Sequence, residues 1–233
     1  MSTFAGIRTV IFDAYGTLFR LDSIERVCAT VLANRAVTAP SAAQFANLWR
    51  AKQLEYSVHR SLMGEGHYED FATITAEALD YALARFAIDL PSADCSALLG
   101  AWQTPGADPE AEHVLVALAP LPRAILSNGA PTMLEAAVAA ADLGDRLDAI
   151  LSADEVQVYK PHSRVYALGT ARFGCDAREI AFVTGNGWDA AGAAAFGFRV
   201  CWINRGNLPE ERHGPRPTAV VGSLADVPMV LGH

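Results

Sequence analysis

Four short segments set ionisable or hydrogen-bonding side chains against apolar runs. Ile11-Phe12-Asp13-Ala14-Tyr15-Gly16-Thr17-Leu18 carries a carboxylate, a phenol and a hydroxyl. Ala124-Ile125-Leu126-Ser127-Asn128-Gly129 ends in a hydroxyl and an amide, and Tyr159-Lys160-Pro161 supplies an ammonium. Phe182-Val183-Thr184-Gly185-Asn186-Gly187-Trp188-Asp189 closes on a second carboxylate. Brought together, a carboxylate beside a cation can attack an electrophile or take a proton. Taken singly, the same residues have plainer uses. An aspartate after a strand is commonly a turn former, Ser127 and Asn128 suit caps or turns, and a lone lysine is usually solvated. The glycine-rich stretch before Asp189 suits a loop that caps the next helix.

The elements around these segments argue for convergence. Short β-rich runs recur at Thr9–Phe12, Ala124–Ser127, Ala149–Ser152, Ile180–Thr184, Val200–Ile203 and Ala219–Val221. Helical segments such as Met133–Ala141 and Arg164–Phe173 lie between them, and that alternation predicts an α/β fold, a doubly wound parallel sheet covered on both faces. Ligands of such sheets bind beyond the carboxyl ends of the strands, which puts Asp13 in the crevice. Gly16 and Thr17 suit a tight turn just after it. One interval breaks the rhythm. From about residue 21 to residue 103 no strand is evident, but three or four long helical patterns are, including Ser41–Met63 and Tyr68–Phe86, with Gly64-Glu65-Gly66 punctuating the two. The expected organisation is a Rossmann-like core of residues 1–20 and 104–233, with residues 21–103 as an inserted helical unit. Gly206–Pro217 reads as a polar, proline-bearing loop.

Composition excludes several classes of function. Apolar residues make up 52% and charged residues 19% of the 233, so burial can offset the conformational entropy of folding. A formal net charge of -8 offers no basic field for nucleic acid or an anionic membrane surface. The longest apolar stretch, Val114–Ala119, stops at Pro120 and falls far short of the ~20 residues of a membrane-spanning helix. Met1-Ser2-Thr3-Phe4 lacks the charged start and apolar run of a signal peptide, and the expectation is a cytoplasmic protein. Cys28, Cys95, Cys175 and Cys201 form no C-x-x-C pair, and the six histidines show no ligand spacing with them, so buried thiols are expected rather than disulfides or a zinc site.

In order along the chain, Phe-Asp-x-Tyr-Gly-Thr-Leu, Leu-Ser-Asn-Gly, Tyr-Lys-Pro and Asn-x-Trp-Asp resemble the four-motif pattern of the haloacid dehalogenase superfamily. The resemblance runs from the first strand to Asp189, and the helical insertion sits where that family's cap domain sits. Phosphatases of the superfamily carry a second aspartate two positions after the nucleophile, where this chain has Tyr15. Their fourth motif has an acid where Gly185 stands. A magnesium site built from carboxylate oxygens would therefore be short of ligands, and neither metal nor cofactor is expected. Leu48-Trp49-Arg50-Ala51-Lys52-Gln53-Leu54-Glu55-Tyr56 closely resembles the cap helix of the L-2-haloacid dehalogenases, in which the matching arginine helps bind the departing halide. Arg50 and Leu54, at i and i+4, share a helix face.

That resemblance implies a mechanism and a set of residues. Asp13 attacks C2 of an S-configured 2-haloalkanoate and expels halide toward Arg50 and Asn128, leaving an ester. Water then hydrolyses the ester, helped by Asp189 with Lys160 and Asn186, to give the R-2-hydroxy acid. Ser127, Lys160 and backbone N–H groups after Asp13, beginning with Ala14, hold the substrate carboxylate. Thr17 and Thr184 complete the catalytic group, while Tyr15, Leu54, Phe71, Tyr166 and Trp188 belong with the substrate contacts. Trp49 and Tyr56 are assigned to packing. One departure stands out: the family commonly has Ser-Ser-Asn where this chain has Thr184-Gly185-Asn186, so Gly185 removes a hydroxyl near the hydrolytic water. The partner expected is a small 2-haloacid, and the family is often dimeric. Two alternatives are a small-molecule phosphatase of the same superfamily and a carboxylate-binding relative without turnover.

Overall fold

Strand β1, Thr9–Phe12, is buried along its whole length. A strand covered on both faces has no solvent side to make polar, which is why it reads as an unbroken apolar run. The computed structural model describes residues 4–64 and 66–233; Met1, Ser2 and Thr3 of the amino-terminal segment and Glu65 of the Gly64-Glu65-Gly66 break lie outside the described residues. Strands β2 (Arg123–Ser127), β3 (Ala149–Ser152), β4 (Ile180–Thr184), β5 (Arg199–Ile203) and β6 (Ala219–Val221) join β1 in a parallel sheet of order β3-β2-β1-β4-β5-β6. This is the expected doubly wound α/β class, and each strand lies within a residue of its expected ends.

Phe12 stands in register with Ile125 of β2 on one side and with Val183 of β4 on the other. From β1 the chain builds outward through β2 and β3, then crosses back to β4 on the opposite side. The order reverses between β1 and β4, and a crevice forms at their carboxyl ends. Asp13 is the first residue beyond β1, and its N–H donates to Val183 O at 2.9 Å, which fixes the backbone at the crevice floor.

Four helices, α1 (Asp22–Asn34), α2 (Ala42–Met63), α3 (Phe71–Phe86) and α4 (Ser92–Gln103), fill the interval from residue 21 to residue 103 after β1. Ser41 and Gln44 close a capping box that starts α2, satisfying amide donors the first turn leaves unpaired. Phe45, Trp49, Gln53 and Ser57 form its buried stripe at a spacing of four. The stripe faces α3: Trp49 Nε1 donates to Thr75 O at 2.8 Å, and Gln53 Nε2 to Thr75 Oγ1 at 2.9 Å. Removing a core ring such as Trp49 typically costs about 3 to 5 kcal/mol.

Two helix boundaries differ from the sequence reading. Helix α3 begins at Phe71, not Tyr68, because the Asp70 side chain accepts from Thr73 N–H at 2.8 Å and caps the helix there. Tyr68 instead stacks on Tyr159, ring centroids 5.2 Å apart, and donates to Asp154. Helix α5 (Ala111–Ala117) precedes β2, and α6 (Pro131–Ala140) starts two residues earlier than expected, since Pro131 presets φ in the first turn. Helices α7 (Ser163–Phe173), α8 (Gly187–Phe196) and α9 (Val227–Leu231) complete the layers. All four cysteines are free; Cys28 and Cys201 are buried as expected, whereas Cys95 and Cys175 are half-buried. Among the described residues no helix is long and apolar enough to cross a membrane.

Candidate active site

Three buried charges meet at the crevice. Lys160 Nζ lies 3.1 Å from Asp13 Oδ1 and 2.8 Å from Asp189 Oδ2. Asp13 follows β1, Asp189 lies in the first turn of α8, and Lys160 comes from the loop before α7. That loop is pinned by the Lys160 N–H, which donates to Asn128 Oδ1 at 2.9 Å. Burial alone would discharge the ammonium, but the two carboxylates outweigh it, and the net effect holds Lys160 above its ordinary value. It stays a cation across the working pH range.

The two oxygens of Asp13 have different surroundings. Oδ2 accepts from Thr17 Oγ1 at 2.9 Å and from Asn186 Nδ2 at 2.8 Å. Oδ1 accepts from Lys160 alone among these side chains. Asn186 Nδ2 also donates to Tyr15 O at 2.9 Å, so one amide braces both the carboxylate and its turn. Asp189 is fully buried, and burial pushes its carboxyl well above the usual range, opposed by Lys160 and by the Tyr166 hydroxyl, which donates to Oδ1 at 2.7 Å. An aspartate so held is a weak acid for its type and a correspondingly better base.

Arg50 completes the charge balance: Asp13 and Asp189 against Lys160 and Arg50. Its guanidinium lies over the Trp102 ring at 5.4 Å and donates weakly to Gln53 Oε1 at 3.5 Å. No carboxylate pairs with it among the described residues. Burial draws its pKa down, with Asp13 and Tyr15 acting in the opposite sense; a guanidinium begins so high that it stays charged. Burial also raises the Tyr15 phenol well above its ordinary value. Its hydroxyl is spent on Trp102 O at 2.8 Å, so an apolar ring edge remains beside Asp13.

Asp13, Tyr15, Arg50, Leu54, Phe71, Ser127, Asn128, Gly129, Lys160 and Trp188 line one cavity. Its free volume is about 10 Å³, room for about one water. Two buried donors here have no acceptor among the described residues: Asn128 Nδ2 and Trp188 Nε1. Such groups are costly to leave unpaired unless a ligand or water meets them. Ser127 Oγ accepts from Gly129 N–H at 3.1 Å, which shapes the loop after β2.

Six expected residues lie outside the cavity wall: Thr17, Asn186 and Asp189 bond Asp13 or Lys160 directly, whereas Tyr166, Thr184 and Ala14 do not. Tyr166, expected among the substrate contacts, lies behind Asp189 and acts on it. Thr184 is wholly buried and its hydroxyl accepts from Asn186 N–H at 3.1 Å, so it bonds the loop rather than Asp13. Ala14 is buried, and its carbonyl closes the turn by accepting from Thr17 and Phe19 N–H. Conversely, sequence reasoning missed Gln53, Thr75 and Trp102, which seat Arg50. The signal was available for Gln53, a polar residue on an otherwise aromatic helix stripe.

A divalent cation does not fit these residues. Lys160 already compensates both carboxylates, Tyr15 offers a spent hydroxyl, and Gly185 offers no ligand. No group of three or more His, Cys, Asp or Glu side chains suited to a metal occurs among the described residues.

A carboxylate, its lysine and a second buried acid at the reversal point of a doubly wound sheet make up a candidate hydrolase site in an α/β fold. A family model described as haloacid dehalogenase-like hydrolase matches residues 7–197, and the chain belongs to that family. It is 40% identical over 228 residues to (S)-2-haloacid dehalogenase 1 of Pseudomonas sp. (strain CBS-3), covering 97% of this chain and 96% of that one. It is 41% identical over 224 residues to (S)-2-haloacid dehalogenase of Pseudomonas sp. (strain YL), covering 95% and 93%. The solved L-2-haloacid dehalogenase of Xanthobacter autotrophicus with chloropropionic acid covalently bound superposes with a TM-score of 0.86 at 37% identity, covering 97% of this chain and 98% of that one.

Proposed function

We propose that this protein is an (S)-2-haloacid dehalogenase that hydrolyses small 2-haloalkanoic acids to (R)-2-hydroxy acids through an ester on Asp13. The observation that carries the reading is the pairing of donors with the nucleophile. Arg50, without a carboxylate partner among the described residues, and Asn128 Nδ2, without an acceptor among them, share a cavity with Asp13. An anion leaving C2 needs such a cradle and no proton.

In the first displacement Asp13 Oδ1 forms a bond to C2 as the carbon–halogen bond breaks with inversion, its electron pair leaving with the halide. Oδ2, already held by Thr17 and Asn186, becomes the ester carbonyl oxygen. In the second, water adds to Cγ of Asp13 and gives its proton to Asp189. Thr17 and Asn186 meet the negative charge that develops on Oδ2. Collapse of the adduct expels the alkoxide, which takes the proton held by Asp189 and leaves as the hydroxy acid, while Asp13 keeps one oxygen from water and loses the remaining proton to solvent. Lys160 compensates the charge of both carboxylates, and Ser127 and the Ala14 N–H contribute to holding the substrate carboxylate. Tyr15, Leu54, Phe71 and Trp188 form the wall that keeps bulk water away. Residues 21–103 serve as a cap, with 1–20 and 104–233 as the core; the small free volume supports a cap that opens to admit substrate.

A cytoplasmic location and a homodimer belong to the same reading; Val58 and Leu62, one turn apart on α2, are exposed apolar side chains that a second copy could cover. Sedimentation velocity reads the dimer directly. Halide release from the two enantiomers of 2-chloropropionate, with and without EDTA, tests the activity. Release from the S enantiomer alone, unchanged by EDTA, is expected. Activity abolished by EDTA and restored by magnesium contradicts the reading.

A further inference from the structure

The turn after Asp13 is held from its outer side by a residue the mechanism has not used. Arg205, two positions beyond β5, donates from Nη1 to Gly16 O at 3.0 Å and from Nη2 to Thr17 O at 3.1 Å. Nη2 also meets Asp108 Oδ2 at 2.9 Å, and that carboxylate is almost wholly buried. One guanidinium thus ties together the turn after β1, the stretch before α5 and the exit of β5. A planar fork spreads its donors over separate nitrogens and so reaches two carbonyls and a carboxylate that stand apart, whereas an ammonium gathers its three donors on one atom.

The inner side of the same turn carries the hydrogen bonds of the nucleophile. Gly185 N–H donates to Thr17 Oγ1 at 2.8 Å, and Thr17 Oγ1 donates to Asp13 Oδ2 at 2.9 Å. Gly16 has φ +87°, in the region that favours glycine. A methyl group at position 185 would overlap Gly16 O, the oxygen that Arg205 grips, and would press on Arg205 Nη1 as well. Bare backbone at 185 lets the Gly16 carbonyl in, and the guanidinium at 205 satisfies it.

We propose that Arg205 is a positioning residue for the nucleophile: it fixes the Gly16–Thr17 peptide and, through it, the Thr17 hydroxyl that orients Asp13 Oδ2. The consequence for rate rests on the dehalogenase reading. The Arg205 contacts do not touch Arg50, Asn128 or Ser127, so substrate binding is left alone while Asp13 loses its alignment. A cavity of about 240 Å³ bordered by Gly16, Gly185 and Arg205 opens beside the guanidinium and can admit a small solute in its place.

The test uses Arg205→Met and the double variant Arg205→Met/Asp108→Asn, which leaves no buried carboxylate unpaired should the single variant fold poorly. Misplacing a reacting group by about 1 Å costs on the order of a hundred-fold in rate, so kcat is expected to fall by that order while KM is unchanged. Guanidinium ion at non-denaturing concentration should restore part of the lost kcat in the variant and leave the unsubstituted enzyme unaffected. Full kcat in a folded variant, or a loss that guanidinium leaves untouched, overturns the proposal. A crystal structure of the double variant reads the turn without any activity. Thr17 Oγ1 out of reach of Asp13 Oδ2 supports the proposal, and an unchanged turn overturns it. If the unsubstituted protein releases no halide, the dehalogenase reading fails while that crystal structure still decides the role of Arg205.

Discussion

Lys160 Nζ stands 3.1 Å from Asp13 Oδ1, in a site where the ammonium is wholly buried. Breaking a buried pair by removing one partner leaves an uncompensated charge and costs about 3 to 5 kcal/mol. Here two carboxylates would lose their cation together. Lys160→Met is therefore expected to lower stability by about that amount and to abolish halide release. Denaturant unfolding alongside the kinetics checks it; a variant of unchanged stability would mean the ammonium does not compensate the pair.

Arg50 is expected to act on the departing halide. Losing one preorganised donor costs about 3 to 4 kcal/mol, on the order of a hundred- to a thousand-fold in kcat. Arg50→Ala should show that loss, and it should be larger for chloropropionate than for bromopropionate because chloride is the poorer leaving group. Arg50→Lys should rescue little, since an ammonium lacks the planar fork and its stacking on Trp102. Near-normal kcat for both substrates in Arg50→Ala would return Arg50 to a structural role.

Asp189 gives the reaction an acid limb. Burial raises its folded pKa above the ordinary aspartate value, so the base form needed for ester hydrolysis is lost at a higher pH than an exposed aspartate would predict. The sign for stability is the reverse of the usual carboxylate. A raised folded pKa favours the folded state below the unfolded value of ~3.9 and withdraws that stabilisation as pH rises through the folded pKa. The Tyr166 hydroxyl favours the charged form, so Tyr166→Phe should move the acid limb of kcat to higher pH. A pH–rate profile of Tyr166→Phe with its limb unmoved, under conditions where ester hydrolysis limits turnover, would exclude Asp189 as the base.

Gln53, itself held by Thr75, seats Arg50. Gln53→Leu removes the acceptor for Arg50 Nη1 and leaves the Thr75 hydroxyl with its own bond to Phe71 O. Replacing a side chain that orients the halide donor should lower kcat about ten-fold or more while leaving Asp13 chemistry intact. Equal rates for Gln53→Leu and the unsubstituted enzyme would show that Trp102 alone suffices to hold the guanidinium.

The sheet and most of the site were legible in the chain because both depend on local patterns. Fully buried parallel strands announce themselves as apolar runs; Asp13, Ser127 and Asn128 sit just where such runs end, and Asp189 falls in the first turn of the helix after β4. Arg50 and Leu54 were legible as a shared helix face. What escaped depends on contacts between distant segments. Tyr166 reaches Asp189 from 23 positions away, and its role behind the acid has no local signature. Arg205 lies at the entrance to a polar loop, and only folding brings it to Gly16 and Thr17. The late start of α3 was a contest between the Tyr68 pattern and the Asp70 cap, which the cap wins.

The central claim is the ester on Asp13. An amide at that position has nearly the same volume and is a poor nucleophile, so freshly purified Asp13→Asn should fold and turn over negligibly. The more direct measurement is a single turnover in ¹⁸O-water with enzyme in excess over 2-chloropropionate, followed by mass spectrometry of the peptide containing Asp13 and of the lactate formed. Label in the Asp13 carboxyl and unlabelled lactate is the predicted result; label in the lactate of that first turnover would contradict the ester and assign the attack to water.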